Sequence, residues 1–377
     1  MMKFCTWGNI ASAIEGKPVG GGELQIAMLC KVLARSGHEV VVVDFNVEKD
    51  YVSKDGIKIV KVRGWDDGVR FIRFFTHRLP RLYKCLKEQQ ADIYYCQIRD
   101  YTHVLAYWAA RRSKGRFVLQ LASDLDALNL KMRMKYDYLT NLDGGLWWFI
   151  KVPLNEIIFP QLVRKADLML VQHEGQKESL ARKGIDSVIF YNLIDMAGLN
   201  INPDADRKSY CYVGSLDKRK GFPQFYELAR MTPSVQYKVI GKPRDKTGEL
   251  VYKKIGSLKN VQLFGKLSHT EAIDHISKSR GLVSTSPMEG FPNIFVEAWA
   301  CGIPVYSLYF DPGSTIEKQK IGFNARGNIV ELARLLTAND EQPGLKERAR
   351  DYVLKHHALN EEKVKEINRL FEDLYRK

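Results

Sequence analysis

Short apolar runs recur along the chain, and between them lie longer stretches in which apolar residues return every three or four positions. Continuous apolar runs suit strands buried on both faces, and the longer period suits helices that pack on them. Lys3–Gly8, His38–Asp44, Ile57–Val62, Ile93–Gln97, Phe117–Ala122, Leu168–Gln172 and Val188–Tyr191 read as strands of one series. Leu24, Ala27, Met28, Val32 and Leu33 fall at helical spacing over about Glu23–Ser36, and Gly37 ends that helix. A basic helix follows Ile57–Val62, and a helix carrying Trp108 separates two later strands.

A second series follows: Tyr210–Leu216, Gln236–Gly241, Val261–Gly265, Leu282–Ser286 and Val305–Leu308. Ser268-His269-Thr270-Glu271 is a capping box ahead of a helix over Ala272–Ser277. Between the series, Asn192–Lys208 holds Asn, Asp and Pro without periodicity and reads as a linker. Alternating strands and helices predict parallel sheets covered by helices. The fold class is therefore α/β, with two doubly wound Rossmann-like domains facing a cleft, and 377 residues suffice for two cores. The domains span 1–195, with a helical insertion at about 127–161, and 209–358, joined by 196–208. Ligands of such sheets sit at the carboxyl ends of the strands, so the chemistry should face the cleft.

A formal net charge of +14 calls for an anionic partner: nucleic acid, a membrane surface or a phosphorylated substrate. Arg70, Arg73, Arg78, Arg81, Lys84 and Lys87 occur between Gly68 and Lys87 with no Asp or Glu among them. They alternate with Ile72, Phe74, Phe75, Leu79 and other apolar residues, as on an interfacial helix. A solvated basic face on a core helix is the plainer alternative. With Trp147, Trp148 and Lys151 in the insertion, we expect an anionic membrane as partner, touched by Arg73, Arg78, Arg81, Trp147 and Trp148. No stretch approaches the roughly eighteen apolar residues of a spanning helix, and the N-terminus lacks the apolar stretch of a signal peptide. The six cysteines are scattered, without metal-ligand spacing, as reduced thiols in a cytosolic protein are. The expected location is cytoplasmic, peripheral on the inner face of the cell membrane.

The chemistry concentrates at Glu289-Gly290-Phe291-Pro292-Asn293-Ile294-Phe295-Val296-Glu297. It follows a buried-strand pattern, and Pro292 suits the first position of a helix. Glu289 then lies in the loop and Glu297 inside the helix, beside N–H groups that attract an anion. Carboxylates flanking a phosphate-sized positive pocket suit a ligand that is phosphate at one point and polyhydroxyl on either side. A nucleotide-sugar has that form. An isolated Glu there would only complement the helix dipole, but Ala298-Trp299-Ala300-Cys301-Gly302-Ile303-Pro304-Val305 completes a strand–loop–helix–strand unit.

This block resembles the Glu-x7-Glu signature of the retaining glycosyltransferases of the GT-B fold, family four in particular. Gly214-Ser215-Leu216-Asp217-Lys218-Arg219-Lys220-Gly221 resembles that family's diphosphate-binding segment; Lys220 matches its Lys, and Ser215 replaces its Arg. Gly20-Gly21-Gly22-Glu23 resembles its glycine-rich phosphate loop, and Asn192-Leu193-Ile194-Asp195 its turn into the linker. The resemblance covers Ser209–Phe323 most closely and continues more thinly before it.

What the resemblance implies is metal-independent transfer of a sugar, with retention, from a UDP-sugar or GDP-sugar to a saccharide hydroxyl. The acceptor is expected to be lipid-linked, in surface polysaccharide or glycoconjugate assembly. Lys220 and Glu289 are the catalytic candidates. Donor binding falls to Glu297, Gly290, Phe291, Asn293, Ile294, Ser215, Gly21 and Gly22. Ser123 stands where many members carry a His, and Ser123 and Asp124 become sugar or acceptor contacts. Asp124-Leu125-Asp126 spells the D-x-D of metal-dependent transferases without their context, so neither metal nor cofactor is expected. A final helix, Asn360–Tyr375 within 359–377, should pack back on the first domain. The alternatives are a nucleotide-sugar epimerase or hydrolase, or a basic nucleic-acid-binding protein with a degenerate transferase fold. The last would run basic residues along one groove, whereas here carboxylates line the cleft, so no nucleic acid is expected.

Overall fold

The structure, a computed structural model, describes all residues except 18–19, 71, 128–144, 200–206, 339–342 and 377; for 145–151 and 198 it describes the backbone only. β1 (Lys3–Trp7), β2 (Glu39–Asp44), β3 (Tyr51–Val52), β4 (Lys58–Lys61), β5 (Ile93–Gln97), β6 (Arg116–Gln120), β7 (Leu168–Val171) and β8 (Val188–Ile189) form one sheet. Its order is β3-β4-β2-β1-β5-β6-β7-β8, parallel throughout except for the short edge strand β3. Winding reverses between β1 and β5, the crevice where α/β sheets hold ligands. β9 (Ser209–Val213), β10 (Gln236–Ile240), β11 (Val261–Gly265), β12 (Gly281–Ser284), β13 (Val305–Ser307) and β14 (Gly322–Asn324) form a second sheet. It is fully parallel in the order β11-β10-β9-β12-β13-β14, reversing between β9 and β12. Both sheets are doubly wound.

The strands read from the sequence agree with these to within a few residues; the short strands β3 and β14 were not read. The helix after the Gly loop spans Gly21–Arg35 and buries Ile26, Leu29, Val32 and Leu33 against β1 and β2 residues Phe4, Val40 and Val42. The capping box is present, but its helix starts at His269 because Ser268 is the N-cap. Pro292 is itself an N-cap with extended backbone (φ −64°, ψ 122°), so its helix is Asn293–Ala300 and starts one residue later than expected. Its neighbour Phe291 is buried, which places the loop before the helix inside the molecule.

The chain crosses between the sheets twice, near Asn192–Ile194 and near His357–Leu359. The crossings are hydrogen-bonded to each other: Ile194 N–H donates to the His357 carbonyl and Leu359 N–H to the Ile194 carbonyl, both at 2.9 Å. Burial pushes the His357 imidazole down to about 3, so it is neutral, and Nδ1–H donates to the Asn192 carbonyl at 2.7 Å. The last helix, Glu361–Arg376, then buries Ile367, Phe371 and Leu374 in the first domain's core, with Phe371 edge-on to Phe4 at 5.6 Å.

The basic stretch differs from its expected form. It folds as a wide π turn, Phe74–Arg78, running into the helix Leu79–Gln89. Asp66 and Asp67, immediately outside the acid-free segment, fold back onto it. Arg78 meets Asp66 at 2.6 Å, Arg73 meets Asp66 at 3.4 Å, and Arg81 meets Asp67 at 2.6 Å. Arg73, Arg78 and Arg81 therefore brace a turn. Trp147 and Trp148 lie on the helix Gly145–Lys165, but their side chains fall outside the described residues.

Candidate active site

A cavity of about 700 Å³ lies between the sheets, lined from both domains. Two loops of the second domain shape one wall. The β9 exit loop passes close to the end of β12 at Gly221, whose φ is +69° and where an added Cβ would stand 2.0 Å from the Thr285 carbonyl oxygen. Only glycine fits this approach. The loop is tied by buried Asp217, which accepts the Lys220 N–H at 2.9 Å. Lys220 thereby reaches the Glu289 carboxylate, which also accepts Ser286 Oγ at 2.6 Å.

Ser215 is not a cleft contact. Its hydroxyl donates to Asp217 at 2.8 Å, bracing the loop, and it does not line the cavity. Arg219 lines it instead, with its side chain half exposed and Nη2 3.4 Å from Asp217. A guanidinium thus stands at the cavity, four positions after the residue where the sequence pattern lacks one.

Gly290 lies where a Cβ would fall 2.1 Å from the Ala122 carbonyl oxygen and 2.2 Å from Gln172 Oε1. The loop between Glu289 and Phe291 is thus pressed onto the first domain. Asp124 N–H donates to the Glu289 carbonyl at 3.0 Å, and Phe291 N–H to Gln172 Oε1 at 3.0 Å. The Phe291 ring packs in the core near His357 and Trp299. The Asn293 side chain is fully engaged: Oδ1 accepts from Asn192 at 2.7 Å and Gln25 at 3.2 Å, and Nδ2 donates to the Gly21 carbonyl at 3.0 Å. Gly21 and Gly22 line the cavity in close contact with Asn293 and Ile98 respectively. Ile294 lines it too.

Glu297 is nearly buried and receives His269 Nε2 at 2.9 Å. That hydrogen bond raises the His269 pKa above its ordinary value against the opposing effect of partial burial. His269 was missed in the sequence, although a signal was present: it lies just beyond the carboxyl end of β11, one residue after a strong N-cap.

On the first-domain side, Ser123 lines the cavity, and Asp124 does not. The Asp124 carboxylate is turned to His173 Nε2 at 2.8 Å and Gln176 Nε2 at 3.0 Å rather than to the cavity. Asp126 lines the cavity and caps the Ala122 and Ser123 N–H groups at 3.0 and 3.1 Å. Among the described residues, no three His, Cys, Asp or Glu side chains converge as metal ligands do.

Two family models match successive parts of the chain: Glycosyltransferase Family 4 over residues 19–197 and Glycosyl transferases group 1 over residues 200–355. No curated protein matches it in sequence. Among solved structures, sucrose-phosphate synthase from Thermosynechococcus elongatus superposes with a TM-score of 0.77 at 15% identity, covering 100% of both chains. HepE from Anabaena, in complex with UDP and glucose, gives 0.67 at 15% identity over 99% of each chain. The lipopolysaccharide outer core galactosyltransferase WaaB gives 0.65 at 20% identity over 99% of this chain and 100% of its own. All share the two-domain architecture of the GT-B glycosyltransferases.

Proposed function

Because the chain belongs to the group 1 glycosyltransferases, we propose that it moves a sugar from a UDP-sugar to a saccharide hydroxyl, with retention and without a metal. One observation carries this reading: Lys220 and Glu289, from separate loops, meet in a cavity whose opposite wall is the glycine loop of the first domain. In the proposed complex Lys220 turns from Glu289 to the donor diphosphate. Arg219 and the N–H groups at the start of the helix Asn293–Ala300 join it there. Stabilising charge that grows on a leaving group is usually the largest single catalytic contribution. Glu289 then holds hydroxyls of the transferred sugar, and Glu297 those of the donor ribose.

The reaction proceeds on one face of the sugar. The bond from its anomeric carbon to the phosphate oxygen breaks as the bond to the acceptor oxygen forms. The acceptor proton passes to the released phosphate, so no enzymic nucleophile takes part. UDP in the HepE complex supports the donor class. The lipopolysaccharide named for WaaB supports a glycan acceptor of surface-polysaccharide type.

We extend the reading to a lipid-linked acceptor at the cytosolic leaflet. Val69, Ile72 and Phe75 are exposed, as are Arg70, Lys84 and Lys87. Each basic side chain near an anionic surface contributes about 1 kcal/mol. Among the described residues no helix is long and apolar enough to cross a membrane, so the contact proposed is peripheral.

Mass spectrometry after incubation with individual UDP- and GDP-sugars tests the assignment. Donor consumption is expected with a UDP-sugar, unchanged after dialysis against EDTA. A protein that neither binds nor consumes any nucleotide-sugar refutes it, and activity that returns only with Mn²⁺ or Mg²⁺ refutes the metal-free mechanism.

A further inference from the structure

β5 ends at Gln97, and the next residue, Ile98, has φ +76°. A β-branched residue resists this left-handed backbone, and such outliers persist where the surroundings hold them in place. Here the holding groups are visible. His103 Nε2 lies 3.2 Å from the Gln97 carbonyl oxygen and 3.0 Å from that of Ile98, so its N–H donates to both. Arg99, the following residue, pairs with Glu156 at 2.8 Å and stacks over Phe159 at 4.7 Å. The corner is rigid from both sides.

The rigid corner presents two groups to the cleft. Gln97 and Ile98 both line the 700 Å³ cavity that also holds Glu289 and Lys220. The Ile98 side chain is 44% exposed. Gln97 is only 5% exposed, and its Oε1 is buried without a hydrogen-bond partner. Its cross-strand neighbour Gln120 differs, because its Oε1 receives the Tyr95 hydroxyl. A buried amide oxygen left unpaired is costly, and in a native protein it calls for an explanation.

The chemistry of the corner selects its ligand. It offers one uncharged amide, whose oxygen lacks a partner, and one aliphatic surface. A phosphate needs donors and positive charge, which the opposite wall supplies through Lys220 and Arg219. A sugar ring needs what the corner has, an acceptor for a hydroxyl and an apolar surface for its C–H face. Resting on the transferase reading above, we propose that Gln97 and Ile98 form the subsite for the acceptor saccharide. The Gln97 amide turns its unpaired oxygen to a ring hydroxyl when the acceptor binds, and the ring packs on Ile98.

Two variants test this: Gln97→Leu, which keeps the volume and removes the acceptor atom, and Ile98→Gly. Glycine adopts positive φ freely, so the second variant does not threaten the fold. The acceptor probes are octyl glucoside, octyl galactoside and octyl N-acetylglucosaminide, with the donor that wild type consumes. Three quantities are read: KM for the acceptor, donor hydrolysis without acceptor, and UDP affinity by calorimetry. The expected result is an acceptor KM raised about tenfold in each variant, the loss of one buried hydrogen bond or apolar contact, with hydrolysis and UDP affinity unchanged. An unchanged acceptor KM overturns the proposal. So does a parallel fall in hydrolysis and UDP affinity, which would place the corner in the donor site. Wild type that hydrolyses donor but glycosylates none of the three probes also overturns it. Wild type that consumes no nucleotide-sugar at all sinks the transferase reading instead.

Discussion

Lys220 pairs with Glu289 and His269 with Glu297 in one cleft, and in the proposed donor complex each pair rearranges. Lys220→Ala and Glu297→Ala are therefore expected to lower kcat/KM at least about tenfold while leaving the fold intact, since each removes a charge-assisted contact. Near-native turnover of either variant at subsaturating donor would remove the second domain's loops from the donor site. His269 carries a pH signature. Its ordinary pKa is 6.5, and Glu297 raises it, so the folded state favours the protonated ring. The stabilisation is complete below 6.5 and drains away as pH rises through the raised value. Thermal melts should show His269→Ala falling below wild type in acid and converging with it as the pH rises; a gap independent of pH would contradict the pairing. At this scale the sequence revealed residue types better than directions. Glu289, Glu297 and Lys220 were legible because their spacing is fixed within single strand–loop–helix units. Asp124 and His269 were not, because which way each turns depends on His173 and Glu297, partners outside its own short segment, while Ser215 turns to Asp217 two residues on.

Strands and helices were legible where burial on both faces left uninterrupted apolar runs, as in Val40–Val43 and Phe117–Leu119. The capping box shows how a local signal survives folding. Ser268 Oγ accepts the Glu271 N–H at 3.3 Å while the Glu271 carboxylate takes the Ser268 N–H at 2.8 Å. Ser268→Ala should cost about 0.5–2 kcal/mol in chemical denaturation, and a loss well outside that range would mean that the cap has another role. The basic segment shows the opposite case. Its acid-free composition suggested free arginines, but Asp66 and Asp67 lie immediately before the segment and fold back on three of them. The residues to reverse are consequently Arg70, Lys84 and Lys87, which are exposed. Glutamate at all three should abolish sedimentation with anionic liposomes at low salt and spare UDP binding. Wild type that does not sediment would leave a soluble acceptor as the better reading.

Across the whole molecule, the cleft is held by amides that join the two domains. Gln25 and Gln172 from the first domain and Asn192 from the first crossing meet Asn293 and the Phe291 backbone of the second. No sequence period encodes such a seam, because its members are brought together only by the relative placement of two separately folded sheets. Its tightest point is Gly290, where a methyl group would stand 2.1 Å from the Ala122 carbonyl oxygen and 2.2 Å from Gln172 Oε1. Neither atom can yield cheaply: one is backbone at the end of β6, and the other already accepts the Phe291 N–H. Opening the cleft relieves the clash with less disruption, since it leaves both cores packed. Gly290→Ala should therefore retain each domain's cooperative unfolding. Its radius of gyration in solution scattering should rise, and transfer should fall at least about tenfold, because the reacting groups no longer face the first domain. Native turnover at an unchanged radius would mean that the seam can repack around a methyl group, and that closure is set instead by the paired crossings at Ile194 and His357.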